Sequence, residues 1–339
     1  MRVTVRVSPF APLPEVLDFT RRCEAAGFDG IGFLDSQMIN RDLWVTMAAA
    51  ATVTTRMRLI TAVTNPVTRH ISVVASSAAS VDDLAPGRVE VWIGRGFSAV
   101  NLAGLPEATT AQLRTSIREF KRLLAGEWDV FSGTHSRMRN AGHHVPIYLA
   151  ASGPRTIRLA GEVADGILLA TEPKRESWER AQTLIAEGAK SAGRDPADVD
   201  LCVQSLTCIR ETREEALRWA GPLLVLRLAD EEWLRREGIE AKGIGVPAGL
   251  AGLYPDPLHA EDSDKALELA STVPLELRAQ IADRLGMIGT PDDVVAKLKA
   301  LSASGIRNVF MRTIDTLSFP AQDVDLYGSR IRDVVAGWP

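Results

Sequence analysis

The chain predicts an α/β protein of the (β/α)8 TIM-barrel class with insertions. Two observations carry that expectation. Strand and helix patterns alternate almost from end to end, the signature of a parallel sheet wrapped by crossover helices, and eight strand patterns fall within 339 residues, a length that suits one barrel with insertions. The competing arrangement is a doubly wound open sheet. A single domain over 1–339 is the expectation.

The strands are read at Val3 to Val7, Gly30 to Leu34, Arg58 to Val63, Val89 to Ile93, Ile147 to Ala150, Gly166 to Leu169, Leu201 to Ile209 and Asn308 to Met311. Amphipathic helices are read at Leu13 to Ala26, Leu43 to Thr54, Ile71 to Leu84, Leu113 to Ala125, Arg155 to Val163, Trp178 to Ala192, Glu214 to Glu237, Pro291 to Ser304 and near Asp323 to Val335. Thr290 as N-cap with Pro291 at the first position is a strong helix start. Two segments break the alternation. Residues 126–145 read as a short surface hairpin or loop turning at Ser132 and Gly133, and residues 238–274, first rich in Gly and Pro and then acidic, read as a long insertion over one mouth of the barrel.

Composition narrows the function. Net charge is −4 with no basic block, which favours neither nucleic acid nor an anionic membrane surface. The three cysteines, Cys23, Cys202 and Cys208, are odd in number and lack metal-ligand spacing, so a reduced, cytoplasmic setting is expected and all three are read as structural. The histidines (His70, His135, His143, His144 and His259) show no metal-binding spacing either, and no metal is assigned. The chain starts directly on an alternating strand pattern and has no apolar run of about 18 residues, so a soluble protein without signal peptide or membrane helix is expected.

The chemistry is concentrated at strand ends. In residues 58–96 a strand ends at Thr64, Asn65 and Pro66, a helix follows, and a second strand ends at Gly94, Arg95 and Gly96. A parallel βαβ unit places both turns at one end of the sheet, where α/β enzymes keep ligands, and glycine lets a ligand approach the main chain. Turns of this composition also arise simply to reverse the chain. In the segment from Ile147, a buried strand ends at Ala150, Ala151, Ser152 and Gly153 and a helix starts at once with Pro154, so free amides among small residues form an anion site suited to phosphate. The alternative is Ser152 as a plain helix cap. Asp35 ends the second strand at the same mouth, with Ser36 and Gln37 beside it as candidates for substrate contact. Trp44, just beyond, is a candidate pocket wall. No Ser-His-Asp arrangement is present.

The stretches AGFDGIGFLD, VTNPVTRH, LAPGRVEVWIGRG, PIYLAASGPRTIRLAGEVADGILLAT and IGTPDDVVAKLKALSASGIRNVFMR resemble, in order and spacing, the bacterial luciferase-like (β/α)8 family. Within it they look most like the deazaflavin-dependent branch that includes methylenetetrahydromethanopterin reductase and the coenzyme F420-dependent glucose-6-phosphate dehydrogenase. The likeness fades in residues 97–145 and 212–285. The resemblance implies coenzyme F420 (alternatively FMN) at the barrel mouth, its phosphate on Ala151, Ser152 and Gly153. It implies a backbone bulge with a non-proline cis peptide at Ala62 and Val63 against the ring, and Asp35, Asn65, Arg95 and Gly96 lining the cofactor. It also implies a homodimer.

The chain departs from the sugar-phosphate dehydrogenases at two positions. A histidine after the aspartate and an acidic residue after the glycine turn are replaced here by Ser36 and Phe97, so sugar oxidation by that acid/base scheme is not expected. A hydrophobic or aromatic substrate, or an activated imine or enone, accepts hydride without a strong general base. The expected activity is hydride transfer between the deazaflavin C5 and a small organic molecule. The alternatives are an FMN-dependent monooxygenase supplied by a separate flavin reductase, and a non-catalytic flavin-binding barrel.

Overall fold

The computed structural model describes residues 1–338 except Ser132, Glu172, 256–258 and Thr316. All eight expected strands form: β1 (Arg2–Val7), β2 (Gly30–Phe33), β3 (Arg58–Thr64), β4 (Val89–Ile93), β5 (Ile147–Ala151), β6 (Gly166–Leu169), β7 (Asp200–Ile209) and β8 (Asn308–Thr313). Each pairs in parallel with the next, and β8 closes on β1 with Val3 opposite Val309. The closed barrel excludes the open-sheet alternative.

Alternation along the strands sorts side chains into two environments. Outward residues such as Val3, Val5, Ile31, Leu59 and Val91 join the helices in the main core. Inward residues Ile60, Trp92, Tyr148, Leu168, Cys202 and Phe310 fill the middle of the barrel. Below them a charged layer plugs the N-terminal end. Arg58 pairs with Glu90 at 2.6 Å, the Trp92 indole donates to Glu90 at 3.0 Å, and Asp200 accepts from Tyr148 at 2.7 Å and from Arg2.

The helix from Pro291 begins with a capping box, Thr290 and Asp293 each satisfying the other's backbone amide. Residues 129–136 form the expected hairpin, Asp129–Phe131 against Thr134–Ser136. Gly133 takes a φ of 85° in its turn, and Ser132 lies outside the described residues.

Between β7 and β8 the structure corrects the sequence reading. The helix expected over Glu214 to Glu237 is three short helices, Arg213–Trp219, Gly221–Val225 and Glu231–Arg236. Pro222 has no amide to continue the first, and the Asp230 side chain caps the third by accepting from Trp233 N at 2.9 Å. The segment between β7 and β8 also carries helices Ser263–Ser271, within the expected insertion, and Leu275–Leu285, beyond it, neither of which was expected. These pieces bury Leu217, Leu224, Trp233, Ala270 and Ile281 in a second hydrophobic core. A short strand, Gly286–Gly289, then pairs with Leu206–Ile209 of β7. Because Leu206 and Thr207 also pair with β8, that strand occupies the β6 edge of β7.

Candidate active site at the C-terminal mouth of the barrel

The mouth is divided into two chemically different halves. On β2 to β5 the uppermost inward positions are Gly32, Ala62, Gly94 and Ala150. They touch: a Cβ on Gly32 would meet the Ala62 Cβ at 2.7 Å, and one on Gly94 would meet Val63 at 3.0 Å and Ala150 at 3.6 Å. Ala62, Val63 and Ala150 remain partly accessible above the buried middle layer. The result is a low apolar shelf. The pairing of β3 with β4 shifts between Ala62 and Thr64, and the Ala62–Val63 peptide is cis, as the resemblance implied.

On β7, β8 and β1 the same level carries Gln204, Arg312 and Arg6. Arg6 is fully buried, donates to the backbone carbonyls of Thr313 and Asp315, and leaves its Nε without a partner. Burial pushes its pKa down to about 9; repulsion from Arg312 adds to this and Asp315 opposes it.

Behind the shelf, the loops after β2, β3 and β4 are tied together. The Asp35 carboxylate accepts from Thr64 Oγ1 at 2.7 Å and from Arg69 at 3.1 and 3.3 Å. Burial works against the Arg69 charge, but Asp35 and Asp42 outweigh it and raise its pKa. Ser36 and Ser98 share a 2.6 Å hydroxyl contact, and Gln37 donates to the Ala99 carbonyl at 2.9 Å. The Asn65 carbonyl oxygen accepts from Val67 N at 3.0 Å and Thr68 N at 2.9 Å, while its buried amide nitrogen has no partner. Gly96 lies against Asn65 and takes a φ of 83°, where an added Cβ would also meet Val100 at 2.7 Å.

Arg95 is brought to the mouth but turned aside, its Nε donating to the Ala108 carbonyl at 2.9 Å and its Nη2 lying 3.2 Å from Glu107. Trp44 is a core residue rather than a pocket wall, and Phe97 is exposed beside the short helix Ser98–Asn101. Arg69 was missed in the sequence reading. Its signal was a cation inside VTNPVTRH with an acidic residue one strand earlier.

The expected phosphate turn opens on a cleft of about 1020 Å³ lined by Ser152, Thr171, Lys174, Gln204, Arg227 and Arg312 among others. Of the sequence-predicted site residues, Ser152 alone lines this cleft among the described residues, and Ala62 and Val63 belong to the shelf. Gly153, not Ser152, is the N-cap of helix Pro154–Val163, and no side chain caps it. Pro154 has no amide, so those of Arg155 and Thr156 are the open donors of the first turn. Ser152 itself is exposed at the rim.

An apolar shelf beside a helix N-terminus fits a flat ring joined to a phosphate. The chain is 29% identical over 324 residues to a 5,10-methylenetetrahydromethanopterin reductase of Methanolobus tindarius, covering 91% of this chain and 93% of that protein. It is 35% identical over 246 residues to an F420-dependent glucose-6-phosphate dehydrogenase of Beutenbergia cavernae, covering 66% and 72%. Among solved structures, the coenzyme F420-dependent tetrahydromethanopterin reductase of Methanopyrus kandleri superposes with a TM-score of 0.79 at 21% identity, covering 98% of this chain and 99% of that one. The family model for luciferase-like monooxygenases matches residues 2–308, and the chain belongs to that family.

Proposed function

We propose that this protein is a coenzyme F420-dependent oxidoreductase acting on a small organic substrate. The observation that carries the reading is the shelf of Gly32, Ala62, Gly94 and Ala150 at the barrel mouth, flanked by the uncapped helix N-terminus after Gly153. F420-dependent enzymes among its relatives support it.

The deazaflavin, when bound, supplies a hydride donor or acceptor at its C5. The protein's own contribution is position and environment. The small shelf residues would admit a planar ring close to the main chain, and Ala62 and Val63 would form its apolar backing. The open amides of Arg155 and Thr156, with Ser152 and Gly153, would hold a phosphate. Asn65, beside Gly96, keeps a buried amide donor without a partner that would serve the ring's polar edge. Asp35 acts through Arg69 and Thr64 to hold the loop that carries Asn65. Ser36, paired with Ser98, offers a hydroxyl to the substrate. Gln204 of β7, Arg312 of β8 and the short helix around Trp233 form one side of the cleft.

Fluorescence titration of the purified protein with oxidised and reduced F420 tests the reading. Quenching with a dissociation constant in the micromolar range supports it, and a Ser152→Trp/Gly153→Trp variant should lose that binding. No quenching in the unmodified protein, or oxygen uptake with reduced FMN, contradicts it; the latter outcome assigns the monooxygenase chemistry instead.

A further inference from the structure

The cationic half of the mouth contains donors without acceptors. Arg312 projects from β8 into the cleft, and no hydrogen bond or ion pair holds its guanidinium among the described residues. Its charged neighbours are Arg227, which lines the same cleft from the segment between β7 and β8, and Arg6, on the adjoining strand β1. Arg227 stands over the Trp233 ring at 5.3 Å, with Asp230 3.7 Å away. Two further donors on cleft-lining residues, the Thr171 hydroxyl and the Trp233 indole nitrogen, are buried without partners. The cleft wall thus holds two guanidinium groups, Arg227 with Asp230 beside it and Arg312 with no carboxylate beside it among the described residues.

Which molecule brings a negative charge there follows from the order of the strands. The proposed phosphate turn follows β5, the bulge lies on β3, and Arg312 is on β8, three strands from each around a ring of eight. A cofactor spanning the β5 and β3 walls therefore leaves the β8 wall to the other reactant.

We propose that Arg312, with Arg227, forms a subsite for an oxyanion carried by the substrate, a carboxylate or phosphate group that docks on β8 and orients the reacting carbon toward the shelf. This rests on the mouth being the reaction site, as proposed above. It adds a polar requirement to the apolar or conjugated substrate expected from Ser36 and Phe97. Burial and repulsion from Arg227 both depress the Arg312 pKa, and the charge of a bound oxyanion opposes that lowering.

The test uses cofactor-free protein with benzoate and inorganic phosphate as probes, benzyl alcohol as the neutral control, and Arg312→Met and Arg312→Lys as variants. Calorimetry at constant ionic strength should show at least one anion binding the unmodified protein. Affinity should fall by about tenfold or more in Arg312→Met and be partly kept in Arg312→Lys, with benzyl alcohol indifferent. Because the methionine removes a repelled, partly buried charge, the variant's Tm should equal or exceed that of the unmodified protein, which separates loss of binding from misfolding. Failure of both anions to bind, or equal affinity in Arg312→Met, overturns the proposal. A second arm distinguishes the source of the oxyanion. F420 affinity within about threefold of the unmodified protein in Arg312→Met supports a substrate subsite, and a tenfold or larger loss reassigns the cation to the cofactor and overturns it. Failure of the unmodified protein to bind F420 would refute the proposed function, while anion binding lost in Arg312→Met would still support the subsite.

Discussion

Asp35 and Arg69 bind the loop after β2 to the loop after β3 through two contacts, Nη2 to Oδ1 at 3.1 Å and Nε to Oδ2 at 3.3 Å. The Asp35 side chain is only 2% exposed, whereas Arg69 reaches outward to Asp42 at 2.8 Å. The buried member depends on its partner far more than the accessible one does, since an unpaired charge inside a protein is costly while the pair together is nearly neutral in stability.

Removing the cation alone should therefore be severe. Arg69→Met is expected to lower unfolding free energy by about 3 kcal/mol in urea denaturation. Adding Asp35→Asn should recover most of that loss. If the double variant is as unstable as Arg69→Met, the pair is not what holds these loops.

The shelf makes a different kind of prediction. A Cβ at Gly94 already approaches Val63 at 3.0 Å, and the further methyls of valine have only the mouth to occupy. Gly94→Val should weaken F420 binding by about tenfold or more, read by fluorescence quenching, while costing about 1–3 kcal/mol of stability from overpacking. Unchanged cofactor affinity in the folded variant would remove the shelf from the site.

At the opposite end of the barrel, burial tends to raise the Asp200 pKa, but hydrogen bonds and charge from Tyr148 and Arg2 prevail and hold it below the usual range. A carboxyl group with a depressed folded pKa contributes stability that is present above its unfolded pKa of about 3.9 and disappears as pH falls through the folded value. Asp200→Asn should accordingly lower Tm at neutral pH, by about 1 kcal/mol equivalent after screening of this half-exposed group, with the difference shrinking below about pH 4. A Tm difference that persists undiminished in acid would show that the contribution is steric.

The barrel was legible because its signals are local. Each strand carries an apolar face over a few residues, β3, β4 and β5 are closed by Asn65 and Pro66, Gly94 and Gly153, and the crossover helices have periodic faces, so β1 to β8 could be placed from short windows. Asp35, Asn65 and Ser152 were legible as strand ends for the same reason. The segment between β7 and β8 was not, because the Gly and Pro between Gly243 and Pro255 masked two helices whose buried residues, Ala266 and Ala270 and then Leu277 and Ile281, pack in the second core. Arg6 and Arg312 sit near opposite ends of the chain and meet only when β1 pairs with β8. Their one local trace is an arginine at an inward position, two residues beyond Thr4 and Phe310 respectively, beside the apolar outward residues Val5, Val7 and Met311. The turning aside of Arg95 depended on Glu107 and Ala108, in a region where no periodicity pointed to a partner.

Thr290 offers a test of how firmly the last crossover is anchored. Its hydroxyl accepts from Asp293 N at 3.3 Å, and the Asp293 carboxylate returns to Thr290 N at 2.9 Å. The residue also follows Gly289, which ends the short strand paired with β7, so the cap fixes the point where the insertion rejoins the barrel. Thr290→Ala should cost about 1 kcal/mol in urea denaturation, and Thr290→Ser should restore most of it because serine keeps the acceptor oxygen. Since β8 and Arg312 lie beyond this helix, the alanine variant should also speed amide exchange in Pro291–Ala303 before it alters exchange in β1 to β4. Uniform acceleration across the barrel would mean that the helix start and the whole fold open together, and that the cap has no separate role.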